Sequence, residues 1–214
     1  MNIYLIRHAD PDYAADSLTE LGFAQAERLA AWLRDVPLTA VYCSPLGRAR
    51  RTMEPALLGR RLDPKTLDWL AELHHNMGLG HAVWNVTAEE LDADPTLGGR
   101  IEAFMAEQQA ALVAGFRELM ARHGFVSTGG RAYRWDRAAR LNQTIACFAH
   151  AGMIMTLLAG LFRWPLAEMY VSMDYKPSAV THLKMYHRAG GFVELRVCAL
   201  AAQAHLPATE HLGL

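Results

Sequence analysis

Apolar and polar positions along the chain alternate in blocks that predict strands and helices in turn. Residues 2–6 are almost continuously apolar, are rich in strand-forming types and are followed at once by polar residues. That pattern is typical of a strand buried on both faces of a parallel sheet. Residues 39–43 and 144–149 show the same pattern. We therefore expect three buried strands from these segments.

Helix signals follow the first two of these strands. Thr19 can cap a helix that Pro37 ends, and the apolar residues between them fall on one helical face. The members of that face are Gly22, Ala26, Leu29 and Leu33. After the second strand, Ser44 can cap and Pro45 can occupy the first turn of a helix that runs to about residue 54. Pro55 should end or kink that helix.

The remainder of the chain predicts an insertion and then further elements of the sheet. Residues 78–100 are rich in Gly, Asp and Pro and have weak periodicity, so we expect irregular or short helical structure there. The elements predicted after them are a long helix at 101–123 closed by Gly124, a hairpin at 125–135 turning at Gly129 and Gly130, a helix at about 152–162, and strands at 179–186 and 192–200.

This order of elements predicts an α/β fold of three layers, α/β/α, with a mostly parallel central sheet. We expect a single domain over residues 1–214, in which residues 73–140 form an inserted cap of helix plus hairpin. Ligands of such sheets bind beyond the carboxyl ends of the strands. The residues at those ends are therefore the candidates for function.

Two arginines and two histidines follow the three buried strands. Arg7 and His8 come directly after the first strand, Arg48 lies at the start of the helix after the second, and His150 follows the third. Each of them alone is more often a surface or packing residue. Their joint placement is rarely a matter of chance, because functional residues concentrate in the loops at strand ends.

The amino-acid composition excludes some classes of binding partner and indicates the cellular compartment. The 214 residues include 21 Lys+Arg and 22 Asp+Glu, and the formal net charge of -1 excludes a large basic surface for nucleic acid. The longest apolar run, residues 151–162, is well short of the ~20 residues that span a bilayer, so no membrane partner is expected. Three separated cysteines indicate a reducing compartment, and the opening residues lack a secretory signal, so we expect a cytoplasmic protein.

The motifs around the strand ends resemble those of a known family. They are LIRHAD at residues 5–10, LTELGFAQA at 18–26, SPLGRARRT at 44–52, LAE at 70–72 and FAHAG at 148–152, with weaker likeness at 178–181 and 204–206. This ordered set is similar to the signature of the histidine phosphatase superfamily, also called the phosphoglycerate mutase-like family. The likeness covers most of the chain outside residues 73–140.

The resemblance implies a phosphoric monoester hydrolase of the histidine acid-phosphatase type that acts on a small phosphorylated metabolite. The residue types agree with that chemistry. A neutral His8 can attack phosphorus and carry the phosphoryl group as phosphohistidine. Arg7 and Arg48 can form paired hydrogen bonds to phosphoryl oxygens, and their charges disfavour protonation of His8. The resemblance makes His150 a further phosphate ligand that acts in the transition state.

The leaving alkoxide needs a proton, and Glu72 is the candidate acid. By resemblance it matches the acidic residue of a Leu-x-Glu block in the family. An acid must be protonated at the working pH, so we expect burial to raise the pKa of Glu72 against the effect of nearby arginines. A surface glutamate is the alternative interpretation. Asp10 and Asp12, in the loop after His8, are less favoured substitutes.

The chain also departs from the family pattern. The asparagine that usually follows the Arg-His pair is missing, and residues 73–78 lack the Arg-His-Tyr-Gly block of glycolytic mutases. A mutase must hold both ends of a doubly charged substrate, so hydrolysis outranks mutase-type phosphoryl transfer. A phosphate-binding regulatory module with weak catalysis is a third hypothesis.

The insertion offers candidates for substrate selection. We expect His74, Arg131 and Arg134 to contact the substrate from the cap, while a solvated hairpin is the competing interpretation. His74, His75 and His81 lack the spacing of a helical zinc motif, so neither a metal nor a cofactor is expected. The terminal strands could pair between subunits, which makes a homodimer an open expectation.

Overall fold

The structure is a computed structural model, and it describes residues 1–136, 138, 140 and 142–207. Its strands are β1 (Asn2–Arg7), β2 (Pro11–Asp12), β3 (Ser17–Leu18), β4 (Ala40–Cys43), β5 (Lys65–Thr66), β6 (Phe125–Ser127), β7 (Ala132–Trp135), β8 (Thr144–Ala149), β9 (Val180–His187) and β10 (Phe192–Ala202). Its α-helices are α1 (Glu20–Leu33), α2 (Gly47–Leu57), α3 (Ala88–Ala93), α4 (Leu97–Arg122), α5 (Ala151–Phe162) and α6 (Leu166–Ser172). Short 3-10 helices cover Asp68–Leu70, Val83–Asn85 and Ala189–Gly191.

Eight strands form one sheet in the order β5-β4-β8-β1-β9-β10-β7-β6, and β2 pairs with β3 separately. The pairs β5–β4, β4–β8 and β8–β1 are parallel, whereas the pairings from β1 outward through β9, β10, β7 and β6 are antiparallel. The predicted α/β fold is confirmed. The sheet is mixed, because a parallel half that carries the predicted strand ends continues into an antiparallel half.

Side chains of β8 alternate between two hydrophobic cores, which shows the three layers directly. Ile145 and Cys147 face the core that contains α4, α5 and α6. Ala146 and Phe148 face the second core, which contains α1 and α2. Every residue of β8 is buried, as expected for a strand covered by helices on both faces.

The two helices of the second core begin differently. Thr19 caps α1 as predicted, because its Oγ1 accepts a hydrogen bond from the Gly22 N–H at 3.0 Å. The helix α2 begins at Gly47, so Ser44 does not cap it and Pro45 lies before its first turn. Pro55 falls inside the last turn and the helix ends at Leu57.

The inserted region departs from the expected cap. Helix α4 packs its long apolar face against the core beside α5. The β6–β7 hairpin extends the sheet, and Arg134 is paired with Phe192 of β10. In β9, Lys184 is paired with Asn2 at the start of β1, and His187, three residues further on, is paired with Val193 of β10. The hairpin pairs with β10 beside Val193, beyond the first residue of β1. The hairpin therefore lies at the amino end of β1, opposite to Arg7.

Candidate active site

Three neighbouring parallel strands bring the residues that follow them to one edge of the sheet. The His8 N–H donates to the Ala149 carbonyl at 2.9 Å, and the Ser44 N–H donates to the Phe148 carbonyl at 2.9 Å. Backbone pairing therefore continues one residue beyond β1 and β4. His150 follows β8 between them, so His8, Ser44 and His150 lie side by side.

His8 is held in the form that a nucleophile needs. Its side chain is buried, and Nδ1 lies 2.7 Å from the Ala9 carbonyl oxygen. A carbonyl can only accept, so Nδ1 carries the proton and Nε2 keeps its lone pair. Burial, together with the charges of Arg7 and Arg48, lowers the pKa of His8 to about 3 against the opposing effect of the Ala9 bond. The imidazole is therefore neutral over the neutral pH range.

His150 is fully buried next to His8, and the two ring centroids are 5.1 Å apart. Its Nε2 lies 2.8 Å from Ser44 Oγ, which also accepts the Leu46 N–H at 3.2 Å. When the Ser44 hydroxyl donates to Nε2, the proton of neutral His150 is on Nδ1. Burial lowers the pKa of His150 to about 2, and the nearby His8 and arginines act in the same direction. The ring is therefore neutral, and in this tautomer its Nδ1–H can donate a hydrogen bond.

Arg7 and Arg48 approach the histidines from different elements. Arg7 Nη1 donates to the Tyr175 carbonyl in the segment before β9. Arg48, in the first turn of α2, donates from Nη1 to Asp16 Oδ1 at 2.8 Å and lies 5.3 Å from the Tyr13 ring centroid. Each guanidinium is thus fixed along one edge by a specific partner.

Asp16 is a residue that sequence reasoning missed. Besides its bond to Arg48, its Oδ2 accepts the Gly47 N–H at 2.6 Å at the start of α2. A Cβ atom on Gly47 would lie 2.1 Å from the Asp16 carbonyl oxygen, so this close approach requires glycine. Although burial opposes it, the bonds from Gly47 and Arg48 lower the pKa of Asp16. An ionised Asp16 therefore orients Arg48.

Glu72 lines the same cavity as the two arginines, and its carboxyl group lies at the first turn of α5. Its Oε1 accepts the Met153 N–H at 2.9 Å and the Leu73 N–H at 3.2 Å. Burial raises the pKa of Glu72, while these backbone donors and Arg7 act against the rise. The net direction is upward, which favours the protonated carboxyl that a general acid needs.

Three buried nitrogen atoms around His8 have no hydrogen-bond partner among the described residues. They are Nε of Arg7, Nε of Arg48 and Nδ1 of His150. A buried donor left unsatisfied costs about 1–3 kcal/mol, so such groups call for a ligand. An anion accepting from all three donors would satisfy them together.

Arg7, Arg48 and Glu72 are among the residues that line a cavity of about 680 Å³. The part of the cavity beside His8, which includes Arg7, Arg48 and Glu72, is called the phosphoryl end. The part of the cavity lined by His75, Trp84, Asn85, Met155, Met173 and Asp174 is called the outer end. The cavity therefore joins a basic end to an outer wall of mixed character, in which Trp84, Met155 and Met173 are apolar and the other three residues are polar.

The sequence matches the model of one protein family over most of its length. The model of the histidine phosphatase superfamily, branch 1, matches residues 3–197. The chain belongs to this superfamily. No curated protein matches the sequence significantly.

Solved structures of other histidine phosphatase-fold proteins resemble the chain over nearly its full length. A mycobacterial glucosyl-3-phosphoglycerate phosphatase is 21% identical, with 94% of this chain and 99% of that one aligned and a TM-score of 0.63. A phosphoserine phosphatase from Entamoeba histolytica is 18% identical, with coverages of 96% and 99% and a TM-score of 0.64. The alpha-ribazole phosphatase from Shigella flexneri is 20% identical, with coverages of 95% and 98% and a TM-score of 0.60. At these identities the likeness concerns the fold.

The structure brings together the residues predicted from the strand ends of this histidine phosphatase. Arg7, His8, Arg48 and His150 converge, and Glu72 joins them. Their roles remain predictions that the proposal below develops.

The predicted substrate selectors lie elsewhere. The ring of His74 lies against Phe104, with centroids 5.7 Å apart, while its neighbour His75 lines the cavity. Arg131 and Arg134 belong to the hairpin at the amino end of β1. None of these three residues belongs to the described lining of the cavity, which corrects the expectation that they contact the substrate. Sheet register places Arg131 and Arg134 at the other end of the sheet, and His74 packs against Phe104 instead.

The alternative acids have structural partners. Asp10 accepts the Thr19 hydroxyl at 2.6 Å, and Asp12 accepts the Ala14 N–H at 3.0 Å. Both bonds stabilise the loop that leads to α1. Among the described residues, no group of three or more His, Cys, Asp or Glu side chains is arranged to hold a metal ion. In the same part of the chain, no helix is both long and apolar enough to cross a bilayer.

Proposed function

We propose that this histidine phosphatase superfamily member hydrolyses a small phosphoric monoester through a phosphohistidine intermediate on His8. The observation that carries the proposal is the free Nε2 of a neutral, buried His8 beside three unsatisfied donors of Arg7, Arg48 and His150. A phosphoryl group placed there would meet a nucleophile and hydrogen-bond donors for its equatorial oxygens. The arginines also supply positive charge in a buried site.

In the first step, His8 Nε2 attacks phosphorus and the bond between phosphorus and the ester oxygen breaks. The leaving alkoxide takes the proton of Glu72, whose raised pKa keeps that proton available. The products of this step are the free alcohol, an ionised Glu72 and phosphohistidine. Arg7, Arg48 and His150 neutralise the charge that builds on the phosphoryl oxygens.

In the second step, water attacks the phosphohistidine. Ionised Glu72 takes a proton from that water, the bond between phosphorus and Nε2 breaks, and inorganic phosphate leaves. His8 returns to its neutral form with the Nδ1 proton still donated to Ala9. Glu72 thus acts as acid and then as base at one position.

The outer end of the cavity supports a substrate with a single phosphoryl group. Apart from Arg7 and Arg48, no lysine or arginine belongs to the described residues that line the cavity. The wall instead includes Trp84, Met155 and Met173, with Asp174 as an acidic group. A second anionic group would find no cationic partner here. This composition favours hydrolysis over mutase-type transfer.

The structural neighbours support the activity class without identifying the substrate. They are a glucosyl-3-phosphoglycerate phosphatase, a phosphoserine phosphatase and an alpha-ribazole phosphatase, whose substrates share little beyond the phosphoryl group. We therefore propose phosphomonoester hydrolysis as the common chemistry and assign the choice of substrate to the outer end.

A rapid-quench experiment tests the proposal. The protein is mixed with a panel of labelled phosphomonoesters, and acid-labile label on His8 is expected together with free phosphate. His8→Ala should abolish both, whereas the matched control His187→Ala, at an exposed position at the end of β9, should keep both. Turnover by His8→Ala, or loss of turnover on adding a chelator, would overturn the proposal.

Phosphate moved to another hydroxyl would indicate a mutase, and binding of a phosphate analogue without any turnover would indicate a regulatory module.

A further inference from the structure

A second cavity of about 270 Å³ lies outside the active site and is lined by three arginines. Arg117 comes from α4, Arg131 from the turn between β6 and β7, and Arg163 from the end of α5. The other lining residues are Gly129, Gly130, Gly160, Leu161 and Phe162, so no described carboxylate belongs to the lining. This cavity, named here the arginine cavity, is not explained by the proposed hydrolysis.

The charges of the arginine cavity are not neutralised within the described part of the protein. Arg51, Arg100 and Arg122 each pair with a carboxylate on the surface. By contrast, Arg117, Arg131 and Arg163 form no ion pair with any described residue. Arg117 is half-buried, whereas Arg131 and Arg163 are exposed, so an anion between them would gain charge-assisted hydrogen bonds from three guanidinium groups.

Two further buried polar atoms are unsatisfied, one of them on an arginine of this cavity. Nε of Arg117 and the hydroxyl of Tyr133 are buried without a hydrogen-bond partner among the described residues. Tyr133 is fully buried. Burial raises the pKa of Tyr133 to about 12, and the charge of Arg117 acts in the opposite direction. Arginine Nε and tyrosine O–H are both donors that a phosphate oxygen accepts.

The backbone at Arg163 gives an independent observation. This residue follows α5 in the left-handed region, with φ 57° and ψ 41°. Helices usually place glycine in that conformation, because a Cβ atom there is disfavoured. The backbone alone would favour glycine, so an arginine at this position needs a role for its side chain. A left-handed non-glycine residue is frequent at ligand sites.

We propose that the arginine cavity binds a small phosphate-type anion at a site separate from the catalytic one. The cavity is smaller than the roughly 300–1,000 Å³ of pockets for drug-sized ligands, which suits inorganic phosphate or a short phosphate ester. The planar guanidinium groups match phosphate oxygens in pairs. The site lies near the hairpin at the amino end of β1, so it binds independently of the phosphoryl end of the active site.

Equilibrium dialysis with labelled inorganic phosphate tests this proposal. The full-length protein should bind two equivalents. Arg131→Gln and Arg163→Gln should each weaken one of them about tenfold, the loss expected for a charge-assisted hydrogen bond, and leave the other unchanged. Arg48→Gln should weaken the catalytic equivalent only. The matched control Arg134→Gln, on the same hairpin but outside the lining, should retain both equivalents.

The outcomes separate this site from the proposed function. Binding of a single equivalent, or two unchanged equivalents in both Arg131→Gln and Arg163→Gln, would overturn the arginine cavity as an anion site. Arginines that only stabilise the carbonyl end of α5 would lower the melting temperature on substitution and leave phosphate binding unchanged, which also overturns it. In the Arg48→Gln background, competition by glycerol phosphate against the label distinguishes an esterified ligand from inorganic phosphate. The activity of His8→Ala tests the proposed hydrolysis only, and either result leaves the conclusions from phosphate binding at the arginine cavity unchanged.

Discussion

The two ends of the active-site cavity are built in different ways. At the phosphoryl end, His8, Ser44 and His150 each stand directly after a parallel strand, and the backbone pairing of the sheet holds them level. At the outer end, His75 and Trp84 come from a long segment between β5 and α3, and Asp174 comes from the segment between α6 and β9. The first three residues are positioned by the sheet, and the second three by loops packed on it. Glu72, at the phosphoryl end, shares the segment between β5 and α3 with His75.

This difference separates chemistry from selection. A side chain at the phosphoryl end touches the reacting group, so its loss should lower kcat for every substrate. A side chain at the outer end touches only the remainder of the substrate, so its loss should change KM for some substrates and not others. The following predictions test that separation, from the largest expected effect to the smallest.

Glu72→Gln should have the largest effect. A positioned general acid contributes about 10²- to 10⁴-fold, so kcat/KM for alkyl phosphates should fall by that factor. Aryl phosphates, whose leaving groups need little protonation, should lose much less. Steady-state kinetics on one alkyl and one aryl phosphate measure the contrast. Equal losses on both substrates would contradict the role of Glu72 as acid.

The pH profile gives a second test of Glu72. Burial raises its pKa, and only the protonated form can donate, so kcat/KM for an alkyl phosphate should fall as pH rises through that pKa. Glu72→Gln should remove this alkaline decline. The ionisation of the substrate also contributes to the profile, and comparing the two proteins on one substrate cancels it. An unchanged alkaline limb in the variant would show that another group supplies the proton.

Ser44→Ala should have an intermediate effect on both kcat and stability. The variant leaves Nε2 of the buried His150 without its partner at 2.8 Å, at a cost of about 1–3 kcal/mol in the free energy of unfolding. The ring can then adopt the other tautomer, so we expect kcat to fall about tenfold. Urea unfolding and kinetics measure both quantities. Ser127→Ala, on the distant hairpin, serves as control, and a Ser44→Ala enzyme with normal kcat would mean that Ser44 is not a positioning residue.

The sequence alone predicts the phosphoryl end well because its signals are local. Continuous apolar runs identify β1, β4 and β8, and parallel strands place their carboxyl ends at one edge. Thr19 is confirmed as the cap of α1 for the same reason, since a cap depends only on the residues beside it. The residues that follow the strands therefore converge as predicted.

Long-range geometry determines what the sequence does not predict. The sequence predicts the hairpin with Arg131 and Arg134 above the site, whereas its pairing with β10 places it at the opposite end of β1. No local pattern encodes which strand a hairpin joins. Asp16 contributes through its bonds to Arg48 and to the first N–H of α2, which require the three-dimensional approach of two loops. The paired order of β9 and β10 likewise makes the sheet mixed.

Trp84→Leu should act only through the outer end. The indole packs over the start of α5, where a Cβ atom on Gly152 would lie 2.4 Å from it. An aromatic contact contributes about 0.5–1.5 kcal/mol, so KM should rise up to about tenfold for substrates that reach the ring. Phosphate esters too short to reach it should keep their KM, and kcat should change little. A uniform fall in kcat across substrates would contradict the separation of the two ends.

Substitutions of the neighbouring residues His74 and His75 should give the smallest effects on KM, and only one of the two should change it. The ring of His75 lies 5.2 Å from that of Trp84 and lines the cavity, whereas the ring of His74 packs against Phe104 on α4. His75→Ala should raise KM about threefold for the substrates that Trp84→Leu affects, since it removes one weak contact at the same wall. His74→Ala should leave KM unchanged, because His74 does not belong to the lining of the cavity. The two variants change the same residue type at adjacent positions, so composition and net charge are matched. A larger KM effect from His74→Ala than from His75→Ala would show that the working enzyme arranges this segment differently and that the outer end is built from the other face of the chain.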